Sequence, residues 1–329
     1  MGARNESGEA AAPARGAPET TGRAGRVAHL ADSTHRGAGG KNAARGDSAD
    51  AATSPRPHTA AALRYDFDHP DDVFELPNRL KEISGLTFLE DGRLAAIEDE
   101  RGRVYLIDPE TARVVDQRNF GRKGDYEGIE AVGRSLYVLR SDGTLFHIPD
   151  VEAADWTARK IKTHLGPKND TEGLAYDPSL HRLLIVCKEH PGKGLKDAKA
   201  VYAFDIATGM LSETPAYSID IARFNEHVAD ESSSDWLRDL VKPVMDLSGF
   251  KPSGLAVHPL TGEIYVVSSV RRAVVVLSPT GEFHAVWRLP KKPFRQPEGI
   301  AFQGDGVLFL STEGDGGPAR IARYRPLWK

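Results

Sequence analysis

The sequence predicts an all-β fold, a five-bladed β-propeller, from three observations. A short motif, x-(Glu/Ser)-Gly-(Ile/Leu), opens a strand five times, with its second residue at Ser84, Glu127, Glu172, Ser253 and Glu298. The intervals are 43, 45, 81 and 45 residues, and a period of about 40–50 residues holding several strands marks propeller blades. The last repeat runs out after three strands, while Leu63–Phe67 alternates apolar and polar residues with no hairpin partner nearby. Placing that N-terminal strand at the outside of the last blade closes the ring without an exposed edge.

The repeats read in order. In the first, Ser84–Phe88 is followed by the hairpin turn Asp91-Gly92, a return strand Arg93–Glu98, Arg103–Asp108 and an outer strand Arg113–Phe120. The second runs Glu127–Val132, Ser135–Arg140, Thr144–Ile148 and Trp156–Thr163. The third runs Glu172–Tyr176, Arg182–Lys188, a Gly/Lys-rich loop His190–Lys199, Ala200–Ile206 and Ala216–Ile221. The fourth is Ser253–His258, Glu263–Ser268, Arg272–Ser278 and Glu282–Leu289; the fifth is Glu298–Phe302, Val307–Thr312 and Arg320–Tyr324. The long third interval has room for a sixth blade, which is the alternative count. However, 224–247 lacks strand alternation, and Asp235–Val241 has its apolar residues at helical spacing, so a helical insertion is expected there.

Residues 1 to about 60 hold almost no large apolar side chains and are expected to be a disordered tail before the 61–329 propeller domain. The net charge of −4 gives no reason to expect nucleic acid as a partner. No apolar stretch approaches a membrane span, and neither a signal peptide nor an anchor is legible, so the sequence sets no compartment. A soluble monomer is expected. Cys187, the single cysteine, ends the apolar run Leu183–Val186 and reads as a buried core thiol.

In an antiparallel meander, the start of strand one and the end of strand two lie at the same end of the blade. Two sets of residues therefore ring one mouth of the central channel. Glu127, Glu172 and Glu298 come from strand-one starts; Glu98, Glu189 and Glu313 come from strand-two ends, with Glu130 and Asp170 as outlying members. Carboxylates crowded on a narrow mouth need positive charge. Ca²⁺, which takes six to eight oxygen ligands, is one answer; pairing with Arg140 and Lys188 is the other. The chain has no nucleophile elbow, no His-Glu-x-x-His, no Walker loop and no Gly-x-Gly-x-x-Gly. His190 could reach the mouth but reads as an exposed loop histidine, and Lys291-Lys292-Pro293 reads as a solvated basic loop.

Taken together, Ile83-Ser84-Gly85-Leu86-Thr87, Asp125–Glu130, Thr171–Asp177, Lys188-Glu189, Pro252-Ser253-Gly254-Leu255 and Pro297–Ala301 resemble the SdiA-regulated (YjiK-like) family of bacterial proteins over about residues 63–326. The resemblance implies a five-bladed propeller distantly related to NHL-repeat proteins, with a calcium site and no established catalysis. It places the calcium ligands on Glu127, Glu172, Glu189 and Glu298. Members often carry an N-terminal anchor or export signal, which this chain does not show. Two functions compete: a calcium-binding platform for a protein or small-molecule partner, and a metal-dependent hydrolase of lactonase or phosphoesterase type with a spare Glu as base.

Overall fold

A computed structural model describes residues 65–195, 198–220 and 250–327. The expected tail over 1–60 and the expected helical insertion near 224–247 lie outside the described residues.

Five antiparallel sheets radiate from one axis. Blade 1 comprises β2 (Ile83–Phe88), β3 (Leu94–Glu98), β4 (Arg103–Asp108) and β5 (Arg113–Asn119). Blade 2 comprises β6 (Tyr126–Val132), β7 (Ser135–Arg140), β8 (Leu145–Ile148) and β9 (Arg159–Ile161). Blade 3 comprises β10 (Thr171–Asp177), β11 (Arg182–Cys187) and β12 (Ala198–Asp205), with β13 (Met210–Leu211) and β14 (Tyr217–Asp220) sharing its outer edge. Blade 4 is β15 (Pro252–Val257), β16 (Ile264–Ser268), β17 (Ala273–Leu277) and β18 (Phe283–Arg288). Blade 5 is β19 (Pro297–Phe302), β20 (Leu308–Thr312), β21 (Arg320–Tyr324) and, from the other end of the chain, β1 (Asp72–Glu75).

The inner strands touch in a closed ring, β2 to β6 to β10 to β15 to β19 and back to β2. Because β10 contacts β15 directly, no sixth blade stands between blades 3 and 4 in the ring. Four of the inner strands, β2, β10, β15 and β19, are buried over nearly all their length, and β6 is half-buried toward its end, whereas the outer β5 alternates exposed and half-buried residues, as a strand with one solvated face should. Five apolar clusters sit between adjacent blades, so each blade shares its core with both neighbours. Cys187 is buried in the cluster between blades 2 and 3, and burial pushes its thiol up to about 12. The one helical element among the described residues is a 3₁₀ turn at Asn78–Leu80, and no helix there is long and apolar enough to cross a membrane.

The ring is closed by an N-terminal strand, as expected, but by Asp72–Glu75 rather than by residues 63–67. The alternation at 63–67 correctly marks burial: Tyr65 and Phe67 are 4% exposed, wedged between blades 4 and 5 against Tyr265, Trp287 and Tyr324. It does not mark a ladder, because Asp66 folds the chain back on Asp68 and His69 just before Pro70. The ladder partner is instead legible as charge: Asp72 faces Arg323 and Glu75 faces Arg320.

Candidate functional site

The recurring motif is a β-bulge repeated in register. Pairing of each inner strand with its neighbour shifts between Ile83 and Gly85, Tyr126 and Gly128, Thr171 and Gly173, Pro252 and Gly254, and Pro297 and Ile300. A bulge leaves a residue unpaired and re-aims its side chain. The residues so released are Ser84, Glu127, Glu172, Ser253 and Glu298. The glycine that follows each one admits the next blade. A Cβ at Gly254 would stand 2.1 Å from the Glu298 carbonyl oxygen, and one at Gly128 would stand 2.9 Å from Leu174 Cβ. The two serines fasten blades: Ser84 Oγ donates to the Tyr126 carbonyl and Ser253 Oγ to the Pro297 carbonyl, both at 2.7 Å.

Two of the bulge glutamates, Glu172 and Glu298, face a single ammonium, and Glu127 interacts with both of them. Lys188, just past the end of β11, donates to Glu172 Oε1 at 2.5 Å and lies 3.8 Å from Asp170 Oδ2. Burial works against the Lys188 charge, but Glu172, Asp170 and Glu298 outweigh it and the ammonium is held above its usual range. Burial also raises all three glutamates. Glu127 is raised further by Glu172 and by Asp125, which hydrogen-bonds to it. Glu298 is raised further by Glu172 and Glu313 and eased by Lys188 and by the Ser253 hydroxyl. Glu172 is raised least, because Lys188 pairs with it directly.

The strand-two set divides. Glu98 is buried, and burial raises its carboxyl; Oε2 accepts from the Glu100 amide at 3.1 Å, while Oε1 has no hydrogen-bond partner among the described residues and lies 3.7 Å from Arg101. Its neighbour Asp99 likewise has a buried Oδ1 without a partner and is raised by burial and by Glu82. Glu313 accepts from Gln296 at 3.0 Å and is pushed up to about 7 by burial and by Asp99 and Glu82. Glu189 is exposed and paired with Lys251, which holds its carboxyl below the usual range. Arg140 does not serve the mouth: its guanidinium grips Asp142, with Nε to Oδ1 at 3.0 Å and Nη2 to Oδ2 at 2.5 Å. His190 faces a pocket outside the mouth, and Glu130 lies further along β6, raised to about 8 by burial and eased by Thr87.

A second ring stands behind the first, and of its members the sequence reading singled out only Asp170. Glu82, Asp125, Asp170, Lys251 and Gln296 each stand two residues before a bulge residue. Each acts on a mouth carboxylate: Asp125 on Glu127, Asp170 on Glu172, Gln296 and Glu82 on Glu313, and Lys251 on Glu189. Aligning the repeats two positions further upstream exposes the set.

The arrangement is a buried excess of carboxylates around one lysine. Such an excess is relieved by taking up protons or a cation. Carboxylate oxygens, two of them buried without partners, are the donors a hard cation uses. As placed, however, no three His, Cys, Asp or Glu side chains among the described residues are gathered closely enough to hold a metal ion. Lys188 occupies the position between Glu172 and Glu298.

No curated protein matches the sequence. Among solved structures, Myxococcus xanthus glutaminyl cyclase matches with a TM-score of 0.50 at 15% identity, over 78% of this chain and 95% of that one. Virginiamycin B lyase of Staphylococcus aureus matches at 0.41 and 11% identity, over 78% and 73%. The aldose sugar dehydrogenase of Streptomyces coelicolor matches at 0.45 and 13% identity, over 79% of this chain and all of that one. At these identities the likeness is one of fold alone. The sequence profile of the SdiA-regulated family matches residues 71–316, most of the chain and all five inner strands, and the chain belongs to the SdiA-regulated family.

Proposed function

We propose that this protein is a cation-binding propeller that acts as a rigid binding platform, with Ca²⁺ taken at the acidic mouth. One observation carries the reading: bulges in register gather Glu127, Glu172 and Glu298 from three blades into mutual repulsion, and the single half-buried ammonium of Lys188, which acts on Glu172 and Glu298, cannot balance all three. Glu127, Glu172 and Glu298 would hold the ion, with Glu98 and Glu313 completing the mouth. Glu189, turned out to Lys251, would not take part. Lys188 competes with the ion for Glu172, so binding strengthens when that lysine is removed. Bound Ca²⁺ would supply fixed positive charge that locks the blades and presents a defined face to a protein or small-molecule partner.

Thermal unfolding of the full chain in EGTA, then with added Ca²⁺ or Mg²⁺, tests this. A ligand bound only by the native state adds about 2.7 kcal/mol at 100 Kd, which is roughly 5–10 °C for a domain of this size. The shift is expected with Ca²⁺, lost in Glu172→Gln and kept in Glu189→Gln. No shift in metal-free protein would overturn the reading. A hydrolase reading rests on Glu313, whose value of about 7 suits a general base; ester or phosphoester turnover by the same preparation, lost in Glu313→Gln, would favour it.

A further inference from the structure

Beside the mouth, between blades 2 and 3, lies an open pocket of about 720 Å³ whose chemistry is the opposite of the mouth's. We infer that this pocket binds a phosphate-bearing small molecule. The inference does not rest on the calcium reading.

The charge is the first ground. Lys168 and Lys193 line the pocket, and neither meets a carboxylate among the described residues. Among the described residues, the other lysines at this corner are engaged: Lys188 with Glu172, Lys251 with Glu189, and Lys199 with the Lys188 carbonyl. The one acid among the described residues of the pocket wall is Glu213, which is exposed. Two ammoniums against one carboxylate among these residues leave the pocket attractive to anions.

The second ground is donor geometry. The loop Pro191-Gly192-Lys193-Gly194 turns through positive φ at Gly192 and Gly194, and the amides of Lys193 and Gly194 have no hydrogen-bond partner among the described residues. Glycine-rich turns that leave successive amides free, next to a lysine, form anion-binding concavities. His190 adds a directed donor. Its Nδ1 accepts from the Gly192 amide at 3.1 Å, so the ring proton sits on Nε2.

The third ground is that the pocket is built. Asn169 clasps the two loops that form it, accepting from the Gly166 amide at 2.9 Å and donating to the His190 carbonyl at 2.8 Å. Tyr202 donates to the Pro191 carbonyl at 2.9 Å, and the loop lies so close over it that a Cβ at Gly192 would stand 2.2 Å from the hydroxyl. Fixed donors bind an anion with less ordering cost than mobile ones. The Tyr202 ring, met edge-on by His164 at 5.6 Å, gives an apolar wall for the carbon part of the ligand. The volume falls within the range of about 300–1,000 Å³ usual for small-molecule sites.

Calorimetric titration of the full chain with inorganic phosphate and with ribose 5-phosphate, in chloride buffer, tests the inference. Saturable binding is expected, weakened at least tenfold in Lys168→Ala/Lys193→Ala, whose ammonium groups make no ion pair among the described residues, and unchanged in the control Lys291→Ala/Lys292→Ala. Tighter binding of the sugar phosphate assigns an organic phosphate; equal binding assigns inorganic phosphate. No saturable heat with either probe, or binding that survives in the pocket variant, would overturn it.

Discussion

His258 is fully buried in a short relay of hydrogen bonds that ties the entering chain to the ring. Its Nδ1 accepts the amides of Leu260 and Thr261, each at 3.2 Å, so Nε2 carries the proton and meets the Tyr65 hydroxyl at 2.9 Å. Tyr65 in turn donates to the Gly306 carbonyl at 2.5 Å. Burial lowers His258 to about 4, with Glu263 offsetting part of the drop, because a second ring proton would face two amide donors. The unfolded chain takes up that proton near pH 6.5, and the folded chain resists it. Stability from this group is therefore present above about 6.5 and lost as pH falls toward 4, by up to roughly 3 kcal/mol. Urea midpoints across pH 4–7 should slope less steeply in His258→Gln than in the natural chain; equal slopes would refute the assignment. The mouth glutamates were legible for a different reason: each repeats in register, so three weak signals add. Glu189 could not be separated from them, because Lys251 captures it from a blade whose preceding stretch has no strand pattern. Arg140 misled because a residue at the right height on β7 can still turn to a nearer partner, Asp142.

At the scale of the element, the bulge explains why the motif is Glu/Ser then Gly. The first residue is unpaired and free to point into the mouth, and the second must let the neighbouring blade approach. Gly128→Ala would set a Cβ 2.9 Å from Leu174 Cβ and 3.0 Å from the Leu174 amide nitrogen. Overpacking of this kind costs about 1–3 kcal/mol, expected as a lowered urea midpoint and, since Glu127 adjoins the shift, weaker Ca²⁺ stabilisation. A midpoint within error of the natural chain would show that blades 2 and 3 can separate freely. Strand positions were legible wherever a tight turn fixed the register, as at Asp91-Gly92 and Asp142-Gly143. The entering segment lacked such a turn. There, period-2 alternation reported only that Tyr65 and Phe67 are buried, which packing between blades satisfies as well as a ladder does.

For the whole molecule, the five-blade count was legible because the motif marks every inner strand once, and the long third interval was resolved only by the contact of β10 with β15. Closure depends on charge across the last ladder. Arg323, 8% exposed, binds Asp72 at 2.6 Å and Glu110 at 2.7 Å, and Arg320 binds Glu75 at 2.9 Å. Asp72→Lys/Glu75→Lys would set like charges across both pairs and strand a buried guanidinium, at a cost of about 2–4 kcal/mol. The urea midpoint should fall, and amide exchange should rise first in β21; unchanged protection there would mean that β1 is dispensable.

Arg320 and Glu75, partners in the finished ring, are 245 positions apart in the chain. A ribosome adding about 5–20 residues per second needs roughly 12–50 s to cover that distance. Throughout that time β1 has been made and has nothing to pair with, and all the strands of the first four blades are made before its partner β21 appears. Closure of the ring therefore waits for β21, and a chain cut short of Arg320 is left with an open ring and two unsatisfied edges, on β1 and β20.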